Sequence, residues 1–397
     1  MIVMLTNSAP LLYRTCNVSL SDTHGFFTKP FSMRDKTMKK SLIALAALST
    51  LAGTAFAQTA ITIYGVVDAG IVYDNSSARN WKLDSGNQSG SRIGFKGSED
   101  LGGGMSAIFN LENGFNSDNG TLGQPTPTNA SRLFGRQAWV GLKAGFGSVK
   151  LGRQLSPLYV AMDQIDPFRI GLAGNAQRAF GYGLYNTDPF LRIDNAISFS
   201  VPDMSGITGS VIYGFGEQAG AFANGRTAGL GLGYANGPIN VQFAYQDSNT
   251  ITLTGVSSAG ATTATSLSNA FGTSADLRTL LVGGYYDFGV AKAHLAYADT
   301  HVDTAATSTK DRNWMLGISA PLGGAGTVMA SWNRNDIRDI ASGKSNQYAI
   351  GYSHALSKRT NLYTSIGYTK NDSNVNLNAA GNGQSDRLFN VGVRHLF

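Results

Sequence analysis

Chemistry has few places to reside in this chain. Only 14% of its 397 residues are Asp, Glu, Lys or Arg, against about 25% in soluble domains. Four of the five histidines lie beyond residue 57: His294, His301, His354 and His395. They are scattered, with no plausible nucleophile beside them and no metal-ligand spacing of the HExxH kind. Gly102-Gly103-Gly104 reads as a turn, and Gly229–Gly233 alternates glycine with Leu230 and Leu232 with no helix following, so neither is a phosphate cradle. No catalytic residue, metal site or cofactor is therefore expected. What remains is electrostatic. Residues 154–190 carry Asp163, Asp166 and Asp188 with Arg169 and Arg178, and Arg92, Arg153 and Arg192 stand elsewhere in the chain.

The elements that would hold such charges begin after a leader. Residues 38–57 read MKKSLIALAALSTLAGTAFA, with Lys39 and Lys40 ahead of an apolar run and Ala55-Phe56-Ala57 as a small-x-small cleavage site. Those are the parts of a secretory signal peptide in order. Residues 1–37 show no periodic pattern and read as a mis-called extension before the true start, leaving 58–397 as the mature protein. Six of the 31 basic and two of the 25 acidic residues lie in 1–57, so the remainder holds 25 against 23. A basic excess that could suggest nucleic acid disappears with the leader. So does Cys16, the one cysteine, which rules out a disulfide framework and a cysteine metal site in the exported protein.

Past residue 57 no 18-residue apolar run occurs, so no transmembrane helix is expected. Side chains alternate instead. Ile239, Val241, Phe243 and Tyr245 take one face of a strand and Asn240, Gln242 and Gln246 the other. The same period-2 pattern recurs in 291–298, 361–369 and 388–397. In SRIGF, Ile93 and Phe95 take the apolar face, which puts Arg92 on the polar one, and parity does the same for Arg192. Sixteen strands can be counted, joined by alternating short and long connections. The long ones include 74–89, 116–131, 154–190, 248–275 and 371–384. A soluble sandwich would bury the apolar faces against a second sheet and has no reason to sort its loops by length. An antiparallel transmembrane β-barrel of sixteen strands turns them to lipid, with short turns on one rim and long loops on the other. Forty-nine glycines, about 12% against a usual share of about 7%, fit its turns and its unpacked lumen face.

Four segments in order carry a resemblance: ITIYGVVDA (61–69), SRIGFKGSEDL (91–101), RQAWVGL (136–142) with GSVKLGRQ (147–154), and the terminal VRHLF (393–397). The chain resembles the general porins of Gram-negative bacteria over its whole mature length. The resemblance implies a homotrimer of sixteen-stranded barrels in the outer membrane, with short periplasmic turns and long extracellular loops. Its surroundings are then membrane lipid and lipopolysaccharide, and its traffic is the passive diffusion of small hydrophilic solutes and ions. It implies that the third long loop, 154–190, folds inward, with Asp163 and Asp166 facing an arginine cluster formed by Arg92, Arg153 and Arg192. It also implies that Phe397 is read by the outer-membrane assembly machinery. Simple parity would place Arg153 with Val149 and Leu151 on the lipid face. An arginine there would cost about 2–4 kcal/mol, so the alternation is expected to break near Gly152. The family's first-strand lysine has no counterpart in Asp68–Ile71, DAGI. Nucleic acid is not an expected partner. Long loops would also suit an adhesin, which conductance would distinguish.

Overall fold

The computed structural model describes residues 60–76, 80–124, 132–180, 188–252, 274–305 and 307–397. The leader and the extension before it lie outside the described residues. Seventeen strand segments follow in chain order: β1 Ala60–Asp74, β2 Asn80–Ser85, β3 Arg92–Gly102, β4 Met105–Gly114, β5 Gln137–Ala144, β6 Gly147–Leu155, β7 Arg192–Ser200, β8 Ile207–Gly214 and β9 Thr227–Asn236. The second half comprises β10 Ile239–Thr252, β11 Ser274–Asp287, β12 Lys292–Asp303, β13 Ser308–Leu322, β14 Gly326–Ile337, β15 Lys344–Ala355, β16 Thr360–Asn371 and β17 Asp386–Leu396. Every pairing is antiparallel, and from β3 onward each strand bonds to its neighbours in sequence. β17 returns to β1, from Val66↔Leu396 to Asp74↔Leu388, and closes the sheet. Gly65 and Phe397 seal the seam by exchanging both backbone bonds, at 3.0 and 3.1 Å.

The barrel has sixteen staves because β2 and β3 share one. Ala69–Asp74 of β1 pairs with β2, and Ala60–Val66 pairs with β3. β2 lies inside the stretch read from sequence as a long connection. Its alternation is short: Trp81 and Leu83 face outward, and Trp81 packs on Tyr73 at 5.1 Å and Phe389 at 6.3 Å. The chain then leaves the sheet at Gly86–Ser91 before re-entering as β3.

Short turns such as 103–104, 145–146 and 237–238 occupy one rim, and the longer connections the other. Asn236-Gly237 shows how the tight turns are made, since Gly237 has φ +56°, a left-handed conformation that glycine adopts without a Cβ penalty. The polarity of the wall is inverted relative to a soluble protein. Ile61, Ile63, Leu295, Leu316, Ile350 and Ile366 are exposed on the outer face, while Asn313, Asn333, Gln347, Ser365 and Asn390 are buried inside. Backbone groups in hydrocarbon have no water to bond, so only a closed sheet can present such a surface to lipid. Among the described residues no helix is long and apolar enough to cross a membrane, and the crossing is made by strands.

This inversion makes a test. Leu316 sits mid-strand on the outer face of β13, and Leu316→Arg is expected to destabilise the barrel in lipid vesicles by about 2–4 kcal/mol. Urea titration followed by tryptophan fluorescence measures it, and an unchanged midpoint would place that face away from lipid.

Candidate functional site

The third long connection turns into the barrel. β6 ends at Leu155, and Ser156 caps the helix that follows, α1 Pro157–Ile165, by accepting the amide of Tyr159 at 3.0 Å. Proline at the first helical position suits its missing donor. Leu158, Ala161, Met162 and Ile165 recur at helical spacing and are all buried against the inner wall. Two short helices, α2 Ala176–Ala179 and α3 Asp188–Leu191, bring the chain back to β7.

The loop can lie this close because the wall beneath it is bare at four points. A Cβ at Gly283 would stand 2.6 Å from Ile165 Cδ1, and one at Gly317 2.6 Å from Pro167 Cγ. At Gly351 it would meet Phe168 Cε1 at 2.8 Å, and at Gly367 Ala173 Cβ at 3.0 Å. These positions lie on β11, β13, β15 and β16, a bare track along the wall. Polar anchors add to it. His294 Nδ1 donates to the Ile165 carbonyl at 2.8 Å, leaving Nε2 to accept from the Ser319 hydroxyl at 3.0 Å. The Ala173 amide donates to Ser365 Oγ at 3.0 Å.

Asp166 is the internal hinge pin of the loop. Its carboxylate, 1% exposed, accepts the amides of Phe168 at 2.9 Å and of Ile170 and Ala176 at 3.0 Å each. Those bonds hold a turn in which Arg169, Ile170 and Leu172 all have positive φ, a conformation that costs non-glycine residues energy. Burial pushes the carboxyl up to about 6, against the three amides that pull it down. Asp163 bonds to Arg169 within the same loop, at 2.6 Å. Among the described residues no ion pair joins Asp163 or Asp166 to Arg92, Arg153 or Arg192. Of Asp188 only the backbone is described.

A second inward lobe, Gly86–Ser91, meets the tip of the loop where the Leu172 amide donates to the Asn87 carbonyl at 2.6 Å. Asp68 secures this lobe by accepting the amides of Gln88 at 2.9 Å and Ser89 at 2.7 Å, with the Tyr363 hydroxyl at 2.5 Å. The acid in DAGI is therefore a structural anchor.

The arginines gather on the wall of β3 to β7. Arg92 lies 3.9 Å from Glu112, which also takes Arg136 Nε at 2.7 Å. Arg153 donates to Asp194 at 2.6 Å and to the Gly135 carbonyl at 2.8 Å, and Arg132 reaches the same Asp194 at 3.1 Å. Arg192 donates to the Arg136 carbonyl at 3.1 Å, and its guanidinium stands 5.8 Å over the Tyr159 ring of α1. The register between β6 and β7 shifts between Gly152 and Gln154, and Gly152 has φ +122°. That break turns Arg153 inward. The structure thus brings Arg92, Arg153 and Arg192 together and adds Arg132 and Arg136, with Glu112 and Asp194 as partial counter-charges. Glu112 could have been found from the parity of β4, where it follows Asn110 on the inner face. Arg136 precedes its strand, where parity has no meaning.

The geometry is that of a barrel narrowed from within by a loop. A family model described as Gram-negative porin matches residues 44–374. The chain is a Gram-negative porin. It is 35% identical to an outer membrane porin of Bordetella pertussis and 34% identical to outer membrane porin protein 32 of Delftia acidovorans. Both matches cover 91% of this chain and 100% of the relative. The solved structure of an anion-selective porin from Comamonas acidovorans superposes with a TM-score of 0.71 at 29% identity, covering 85% of this chain and 100% of that one. The porin is an outer-membrane protein whose barrel is a channel for passive diffusion.

Removing the Asp166 carboxylate separates its role in the loop from any role in the porin's barrel. Asp166→Ala leaves three amides without their acceptor, at about 1–3 kcal/mol for each that stays buried and unpaired. Hydrogen exchange at Phe168, Ile170 and Ala176 is expected to accelerate while barrel amides keep their protection. Unchanged exchange at all three would show that the turn holds without the carboxylate.

Proposed function

We propose that this porin passes small hydrophilic solutes with a preference for anions, and that the preference is set where α1 crosses the arginine wall. The observation that carries this is a gathering of charge of one sign: Arg92, Arg132, Arg136, Arg153 and Arg192 stand together on one wall, with Glu112 and Asp194 as the carboxylates described among them. Across the gap, Asp163 with Arg169 and the carboxylate of Asp166 supply the opposing side, so a transverse field runs from wall to loop. Rings or patches of charge at a narrow point weight ions by sign. The solved relative described as anion-selective supports the same sign.

The remaining parts follow the family. Residues 38–57 direct export and are removed, and 1–37 do not contribute to the mature protein. Three copies assemble as a homotrimer amid lipid and lipopolysaccharide, as in the Vibrio cholerae barrel solved in trimer form. Phe397, half exposed beside Gly65 at the seam, is the signal read by the assembly machinery. The channel carries out no reaction and needs no cofactor.

The test is electrical. Arg92, Arg153 and Arg192 replaced together by Gln are expected to move the reversal potential in a KCl gradient toward cations in planar bilayers. An unmoved potential with intact trimers would overturn the assignment.

A further inference from the structure

The wall on the short-turn side of the arginines carries a feature that charge sorting alone does not use. On β5, Val140 and Leu142 point outward, 57% and 56% exposed, so Trp139 and Lys143 point into the lumen. The indole Nε1–H there donates to Gln137 Oε1 at 3.0 Å. Lys150 of β6 holds its ammonium 4.7 Å from the Trp139 ring centre. Lys96 of β3 lies on the same ladder row as Trp139, through Asn110, with its ammonium 5.1 Å from the Tyr64 ring. Lys143 stands nearer the rim, opposite Ser148. Among the described residues none of these three lysines pairs with a carboxylate.

Beside Trp139 and Lys150 is a niche of about 260 Å³ bounded by Gln154, Ser198, Pro157 and Val160. A larger one of about 420 Å³ shares Pro157, Val160, Ser200 and Ser210 with it and continues beneath α1. The niche therefore combines a flat aromatic surface, an apolar edge from Pro157 and Val160, hydroxyl and amide groups, and an ammonium with no carboxylate partner among the described residues. That set is complementary to a ligand with a planar apolar body and one carboxylate. Inorganic anions would use only the ammonium.

We infer that this wall is a second binding step for solutes, selective for small aromatic carboxylates that have passed the arginines. The carboxylate pairs with Lys150, with Lys96 and Lys143 close along the wall, and the ring packs against Trp139 and Val160. Binding is weak by design of the site: Lys150 is half-exposed to water, and conduction requires that a solute leave as readily as it enters. The inference rests on the channel reading above and adds a solute class to it.

Benzoate is the probe, added in the millimolar range on the short-turn side of trimers in planar bilayers with KCl. Acetate at equal concentration is the control. Benzoate is expected to reduce the KCl current saturably, and acetate to leave it nearly unchanged. Trp139→Ala and Lys150→Gln are each expected to raise the half-blocking concentration by about threefold or more, the scale of one stacking or cation–π contact. Trp139→Phe, which keeps a ring, should restore part of the loss. Lys150→Gln changes a lumen side chain without touching the strand pairing, so it reports even if the tryptophan variants assemble poorly. Equal block by benzoate and acetate, or block indifferent to both positions, would overturn the inference while leaving the anion preference standing. A wild-type channel with no anion preference would instead remove the selectivity reading, and the benzoate block would still be readable.

Discussion

A sheet that crosses hydrocarbon has to leave no backbone group unbonded, and everything else in this protein follows from that closure. β17 must return to β1, and the last residue, Phe397, completes the seam with Gly65. Once closed, each strand has one face in lipid and one in water. Charge is excluded from the first, which is why so little of the chain is charged. On the second it can accumulate, and the arginines and lysines of β3 to β7 are gathered on that side.

Closure also creates the problem that the third loop solves. A barrel of sixteen staves is too wide to be filled by its own side chains, so selectivity requires an object placed inside it. That object needs a core, and α1 obtains one by laying Leu158, Met162 and Ile165 on inward apolar side chains of the wall, among them Ala244, Leu281, Ala296 and Met315, with Gly283 bare beneath Ile165. The glycines at 283, 317, 351 and 367 are therefore more than small residues tolerated beside water. They are the seat of the constriction, and they account for part of the glycine excess that composition alone assigned to turns and open lumen.

What could be read in advance divides along the same line. The strands were legible because lipid on one side and water on the other impose period 2 with little exception. β2 escaped because only Trp81 and Leu83 mark its outer face before the chain turns inward at Gly86. The reversal of Arg153 was legible from energy, since an arginine cannot remain on the lipid face, and the shift at Gly152 is its structural form. Ile193 shows where parity fails: Asn195 has φ +51°, and Ile193 is buried against Ala196 and Ile212. The use of Asp166 was not legible at all. Its partners are amides of its own turn, and a loop with no period gives no hint of which way its carboxylate points.

That use of Asp166 bears on how the constriction works. A carboxylate that accepts three amides, two of them buried, is committed to shape, and its charge is spread over those donors before it reaches the gap. Asp163 is half-cancelled by Arg169, just as Glu112 and Asp194 temper the arginines they touch. On the reading proposed above, the field across the throat is thus what several local pairings leave. A loop anchored by its own carboxylate and by His294 holds its turn with no ion pair from Asp163 or Asp166 to Arg92, Arg153 or Arg192 among the described residues.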